Sequence, residues 1–274
     1  MKNFYKLIWI IAVIGFVVVS CGDWFGDGDK DGDNSNSSGN NTGGNSGGNT
    51  GGNTGDNNPG PMNPQGANVY FKNSSLPVTG INADVFMAIE GDDFEMVLPT
   101  PIGTITDGKL SFTLPNVSAY ADKGSSITED LSYLNRPAGD IKTETGEGWT
   151  STSTVTKNTM EVAIPQDTKI LEGRFGFVHE GKEYWLYYEN ETTGAWITYL
   201  NKPGTLKGEF NTTDVRTYTN NGNVETETYN YNETWNCTFT AGWNVVYSTY
   251  TTDIYSTNPL ANAATMRWIA YNYN

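Results

Sequence analysis

Four dipeptides able to reverse a chain within two residues recur along this sequence, each between short runs that alternate with period two: Gly91-Asp92, Asp107-Gly108, Glu180-Gly181 and Asn221-Gly222. A two-residue hairpin loop needs positive φ, which these residue types tolerate, so each pair sets a reversal and the register of its flanks. Around Gly91-Asp92 the expected partners are Ile89 with Phe94, Met87 with Met96 and Val85 with Leu98, all apolar and on one sheet face. Asp107-Gly108 joins 102–106 to 109–114, setting Ile105 opposite Leu110 and turning Leu110, Phe112 and Leu114 inward. Glu180-Gly181 joins 175–179 to 182–188. Asn221-Gly222 is the strongest signal. It places Val215 opposite Thr228 and Arg216 opposite Glu227, as an ion pair, in a long polar hairpin projecting into solvent.

Further short strands are expected at 161–164, 195–200, 206–210, 235–240, 243–250 and 266–271. One helix is predicted. Ser126 and Glu129 form a capping box, Ile127, Leu131 and Leu134 make its apolar stripe, and Pro137 ends it. From there to about Thr154 the chain is rich in Gly, Thr and Glu and reads as an irregular excursion. Many short strands, regular turns and little helix predict an all-β fold over 67–274. The expected form is an antiparallel β-sandwich, whole or as halves 67–137 and 155–274, with a closed up-and-down β-barrel as the runner-up.

The first 66 residues read differently. Lys2 and Lys6 precede an apolar run from Leu7 to Val19, 13 residues. A spanning helix needs about 20, so the run has the form of an export leader, 1–20. Val18-Val19-Ser20-Cys21 resembles the lipobox of bacterial lipoproteins. That resemblance implies cleavage before Cys21 and acylation of its thiol, anchoring an exported protein to a bacterial membrane, with the outer membrane and its surface the expected place. Residues 21–66 repeat Gly-Gly-Asn-Thr/Ser and hold almost nothing to bury after Phe25. Such a segment cannot offset the entropy of ordering, and as a tether it spans roughly 35–40 Å. Asp27, Asp29, Asp31 and Gly32 match the first half of a calcium-binding loop, but Ser38 stands where the bidentate Glu belongs, so the run reads as solvated acid. Acids after a lipidated cysteine also resemble the surface-export signals of some Gram-negative groups.

Charge and cysteine count exclude several functions. The net charge is −15, and −17 once Lys2 and Lys6 leave with the leader (−15 − 2). That balance excludes a nucleic-acid partner and leaves the lipid on Cys21 as the link to the membrane. With Cys21 acylated, Cys237 has no disulfide partner; between Trp235 and Phe239 it reads as a buried small hydrophobe. His179 is the single histidine, so a histidine metal cluster is excluded, and neither paired cysteines nor a Gly-x-Ser-x-Gly elbow is present. No cofactor, metal site or catalytic residue is therefore expected. Two carboxylates could still hydrolyse a glycan, and Glu183, Glu189, Glu191, Glu225 and Glu227 have the type without a spacing that selects a pair.

Two further resemblances bear on the β region. Gly242-Trp243-Asn244 and Met266-Arg267-Trp268, with the stretch from Ile102 to Pro115, resemble blocks of bacterial surface lipoproteins that carry no established activity. Leu76 to Gly80, Asn82 to Val85 and Asp107 to Phe112 resemble prealbumin-like modules, which implies a small accessory sandwich. Aromatic residues are abundant, with 8 Trp, 16 Tyr and 11 Phe. In 184–188 they occupy both strand faces, so one face can exceed the needs of a core. Trp185, Tyr187, Trp196 and Tyr199 are the candidate binding rings, with Tyr218, Tyr229 and Tyr231 adding to them. The expected function is a non-catalytic binding module for an unknown protein partner, by interaction or adhesion. A carbohydrate-binding accessory protein is the alternative, and a carboxylate-dependent hydrolase the third reading.

Overall fold

The computed structural model describes residues 63–220 and 223–272. The expected leader, Cys21, the 27–33 acidic run, nearly all of the 21–66 segment and the Asn221-Gly222 turn lie outside the described residues.

Strands dominate. The first group is β1 (Gln65–Phe71), β2 (Ala83–Glu90), β3 (Glu95–Val97), β4 (Gly103–Thr106), β5 (Lys109–Phe112) and β6 (Ser125–Ser126). The second is β7 (Ile141–Gly146), β8 (Trp149–Asn158), β9 (Glu161–Ala163), β10 (Lys169–His179), β11 (Lys182–Glu189) and β12 (Thr193–Leu200). The third is β13 (Gly204–Asn220), β14 (Asn223–Phe239), β15 (Gly242–Thr249), β16 (Ile254–Ser256) and β17 (Arg267–Tyr271).

Eight of these close a barrel. Hydrogen bonding runs β1–β17–β11–β12–β10–β2–β4–β5 and back to β1. All-β architecture is as expected, and the closed barrel, rather than two separate sheets, describes this ring. Most neighbours are antiparallel, but β1 and β17 are parallel. In the ring the strands of the two halves form adjacent blocks, β2–β4–β5–β1 and β17–β11–β12–β10, which meet at β1–β17 and β2–β10 and share one core.

Closure follows from period-two burial. Val85, Met87 and Ile89 on β2, Leu171, Phe175 and Phe177 on β10, and Trp268 and Ala270 on β17 all turn inward. Phe112 stacks on Phe175 at 4.7 Å, and Trp268 sets its edge against both, at 5.5 and 5.9 Å. Burying each such side chain contributes roughly 1.5–3 kcal/mol.

Two turns form as read, Ile105 facing Leu110 and His179 facing Lys182, and the register expected about Asn221-Gly222 holds in its flanks, Val215 facing Thr228 and Arg216 facing Glu227. The Gly91-Asp92 reversal takes four residues instead of two. Gly91 N–H donates to the Phe94 carbonyl at 2.7 Å, and Ile89 faces Met96 instead of Phe94. The slip is two residues, so every side chain keeps its face.

The helix is shorter than predicted. An α-helix, α1, covers Ile127–Asp130, and a 3-10 turn follows at Ser132–Asn135. Ser126 makes no capping bond, its hydroxyl lying 3.3 Å from that of Thr128, so the capping box does not form. Ile127, Leu131 and Leu134 are buried as expected.

The stretch expected to be irregular, 137–154, is instead the β7–β8 hairpin, reversing at Glu147-Gly148. Likewise 206–210, 215–228 and 235–240 are parts of two continuous 17-residue strands, β13 and β14. In the order β7–β8–β13–β14 these strands form an arm. Its register sorts the side chains by charge. On one face lie the rows Lys142–Ser153–Asp214–Tyr229, Glu144–Ser151–Arg216–Glu227 and Gly146–Trp149–Tyr218–Glu225. On the other lie Ile141–Thr154–Thr213–Asn230, Thr143–Thr152–Val215–Thr228 and Thr145–Thr150–Thr217–Thr226. The expected Arg216–Glu227 ion pair is replaced: Glu227 accepts the Tyr218 and Tyr229 hydroxyls, and Arg216 lies 4.9 Å over the Tyr229 ring.

Candidate functional site

Alternation in β1, β17 and β11 sends one residue in two outward, and several of those residues are aromatic or cationic. Val69 and Phe71 face the lumen, which turns Tyr70 and Lys72 out; Trp268 and Ala270 do the same for Arg267, Ile269 and Tyr271. On β11, Tyr184, Leu186 and Tyr188 pack inward, leaving Trp185 and Tyr187 outside. Register then assembles two rows. Tyr70, Ile269 and Tyr187 are neighbours across β1, β17 and β11. Tyr271, Trp185, Gly176 and Phe86 are neighbours across β17, β11, β10 and β2.

Gly176 matters because of what covers it. A Cβ there would lie 3.5 Å from Trp185, so the indole rests across the glycine as on a shelf. Tyr187 and Tyr271 meet edge to face at 5.1 Å. Lys72 stands 4.7 Å over the Tyr271 ring and Arg267 4.7 Å over the Tyr70 ring. Such cation–π contacts are worth about 0.5–1 kcal/mol at exposed sites, and they hold rings and donors side by side. Glu189 accepts hydrogen bonds from the Tyr271 hydroxyl and, at 2.8 Å, from the Tyr250 hydroxyl. Burial, with Glu189 close by, raises the Tyr250 hydroxyl far above its usual range, so it stays a donor. Tyr187 is 38 % exposed, and the other rings of the belt are half-buried.

Of the four rings singled out from sequence, Trp185 and Tyr187 enter this belt and two do not. Tyr199 turns inward, edge to face with Trp243 at 5.4 Å and packed against the core. Trp196 lies on the outer side of β12 but is half-buried, 6.1 Å from Tyr255, which stacks on Trp235 at 4.2 Å. Both faces of β12 are thus covered. Tyr70, Phe86 and Tyr271 were not singled out. Alternation around Val69 could have turned Tyr70 outward, but no local signal places the first strand beside the last.

Carboxylates concentrate elsewhere. Glu90 and Glu172 face each other across β2 and β10, with Arg174 2.6 Å from Glu90. Burial, then the charges of Glu90 and Asp130, push the Glu172 carboxyl up to about 7 against the pull of Arg174. Behind the arm, the Tyr133 hydroxyl and the Trp235 indole N–H both donate to Glu233 Oε2 at 2.9 Å. His179 has the Glu180 carboxylate 3.9 Å away. Among the described residues no group of three or more His, Cys, Asp or Glu is placed to hold a metal ion, and no helix is long and apolar enough to cross a membrane. Comparison with protein-family models, curated proteins and solved structures finds no match.

Proposed function

We propose that this chain is a lipid-anchored, exported binding module that holds a neutral saccharide chain on the outer belt of its barrel. The observation that carries the reading is the pair of ring rows, Tyr70–Ile269–Tyr187 and Tyr271–Trp185–Gly176–Phe86. Rings laid across adjacent strands, with a glycine shelf between them, offer a shallow apolar track. Lys72, Arg267 and Glu189 border it with donors and acceptors suited to hydroxyl groups. A net charge of −15 disfavours polyanionic ligands, which selects an uncharged glycan. Catalysis has no part in the proposal.

Calorimetric titration of the full chain with a panel of neutral polysaccharides tests it. Tyr187→Ala and Tyr271→Ala should each weaken binding about tenfold, while Trp149→Ala on the arm leaves it unchanged. Heat that survives both belt changes would overturn the assignment, as would silence across the panel. The anchor has its own test: Cys21→Ser should move the protein from the membrane to the soluble fraction.

Protein interaction is the second reading, and the arm favours it. Both faces of that sheet carry exposed large side chains, Trp149 at 45 % on one and Val224 at 71 % on the other.

A further inference from the structure

Charge on the arm is one-sided. In the aligned part of its four strands every ionic residue (Lys142, Glu144, Asp214, Arg216, Glu225 and Glu227) lies on one face. The opposite face is threonine with a few aliphatic residues and Asn230, in a chain whose net charge is −15. Five of its threonine hydroxyls are already engaged within the sheet. Thr143 and Thr152 hydroxyls lie 3.2 Å apart, those of Thr217 and Thr226 3.3 Å, and Thr213 donates to Asn230 at 2.8 Å. Pairing inside the sheet lowers the cost of excluding water, because these groups keep partners when another surface covers them. Ile141 at 63 %, Val215 at 37 % and Val224 at 71 % exposure place branched aliphatic groups on that side. An uncharged, β-branched, internally hydrogen-bonded sheet face has the character of one inner layer of a two-sheet stack.

We infer that the threonine face of the arm is a self-association surface, on which a second copy of this chain packs its own threonine face about a two-fold axis. Charge argues for a like partner. Acidic copies repel each other through most of their surfaces, and an ion-free patch is where they approach without that cost. A two-fold axis makes the patch its own complement, as an isologous dimer requires. Size sets the strength. Four strands about 4.8 Å apart and three or four rows about 6.8 Å apart cover roughly 400–500 Å² per copy. A stable complex buries about 800 Å² per partner, so the dimer is weak and populated where copies are concentrated. The open edge at β7, exposed along all 6 residues, leaves room for the facing sheet to slide to its preferred angle.

Sedimentation velocity of the full chain in mild detergent, over a series of protein concentrations, reads this directly. A monomer–dimer equilibrium is expected, with the dimer fraction rising with concentration. Val215→Glu puts like charges together near the axis and should weaken association about tenfold or more. Tyr218→Glu, on the ionic face, should leave it unchanged. Thermal unfolding of both variants checks that each is folded, and Thr217→Ala, a smaller change, should weaken the dimer by a lesser factor. A chain that stays monomeric throughout, or a dimer that Val215→Glu leaves intact, overturns the inference. So does a dimer that Tyr218→Glu breaks and Val215→Glu does not.

Discussion

Gly108 and Gly181 occupy the same place in two hairpins, at φ +72° and +74°, yet their surroundings differ. A Cβ on Gly181 would meet nothing within 4 Å; on Gly108 it would lie 1.8 Å from the Val78 carbonyl oxygen. Alanine at Gly181 therefore bears only the left-handed backbone penalty, about 1 kcal/mol. At Gly108 the same penalty is joined by a clash with backbone, which cannot rotate away. The turn is also clamped. Gly108 donates to Ile81 and accepts from Val69, both at 3.0 Å, and Asp107 accepts from Gly80 at 2.7 Å. Relieving the clash means giving up two or three of these bonds at about 1 kcal/mol each, so Gly108→Ala should cost about 3–4 kcal/mol in all. For a β domain of this size each kcal/mol lowers the melting temperature by about 2–4 °C. Urea unfolding should show a small midpoint loss for Gly181→Ala and a loss three- to fourfold larger for Gly108→Ala, at unchanged slope. Equal losses, within about 0.5 kcal/mol, would refute the claim that the Val78 carbonyl, and not the turn, makes Gly108 indispensable.

Other consequences are as open to measurement. Folding raises the Glu172 carboxyl from 4.5 to about 7, so the folded chain binds that proton more tightly. Stability should thus fall as pH rises from about 4.5 to 7, and Glu172→Gln should flatten that slope and gain stability above it, read as urea midpoints against pH. Part of the slope should remain, because burial, then Asp92 and Glu129, lift Asp130 to about 6. Glu233→Ala strands two donors, Tyr133 and Trp235, and should cost about 2–4 kcal/mol by chemical denaturation, whereas Glu233→Gln keeps an acceptor and should cost less. Cys237 is fully buried, and burial pushes its thiol up to about 12, so native protein should resist a thiol reagent at that residue until denaturant is added. Peptide mass mapping distinguishes the two states.

How much was legible depended on whether a segment had an inside. Where one face met the core, the turns at 107–108 and 180–181 and their registers could be read, because alternation and loop chemistry agreed. In the arm the Asn221-Gly222 signal set the register of Val215 and Arg216 against Thr228 and Glu227, but the rest of it offered no such contrast. Its Glu147-Gly148 reversal uses the same dipeptide as Glu180-Gly181, yet runs of Thr, Ser, Lys and Glu flank it. With both faces in solvent, no apolar period announces a strand. For the same reason the sequence pattern of β13 and β14 breaks where their apolar ends give way to polar residues. At β12 the failure was the reverse: alternation separates Trp196 from Tyr199, but a strand buried on both sides has no empty face. The belt needed contacts that no local pattern carries, above all the pairing of the first strand with the last.

That pairing also decides how the barrel answers a pull. β1 lies between β17, parallel to it, and β5, antiparallel to it, so the first strand of the barrel is a stave held on both sides. Tension entering at Gln65 runs along the stave and loads its lateral bonds together, in shear. A strand peeled from an edge gives way one bond at a time; this one must yield as a set, and the ring must open when it does.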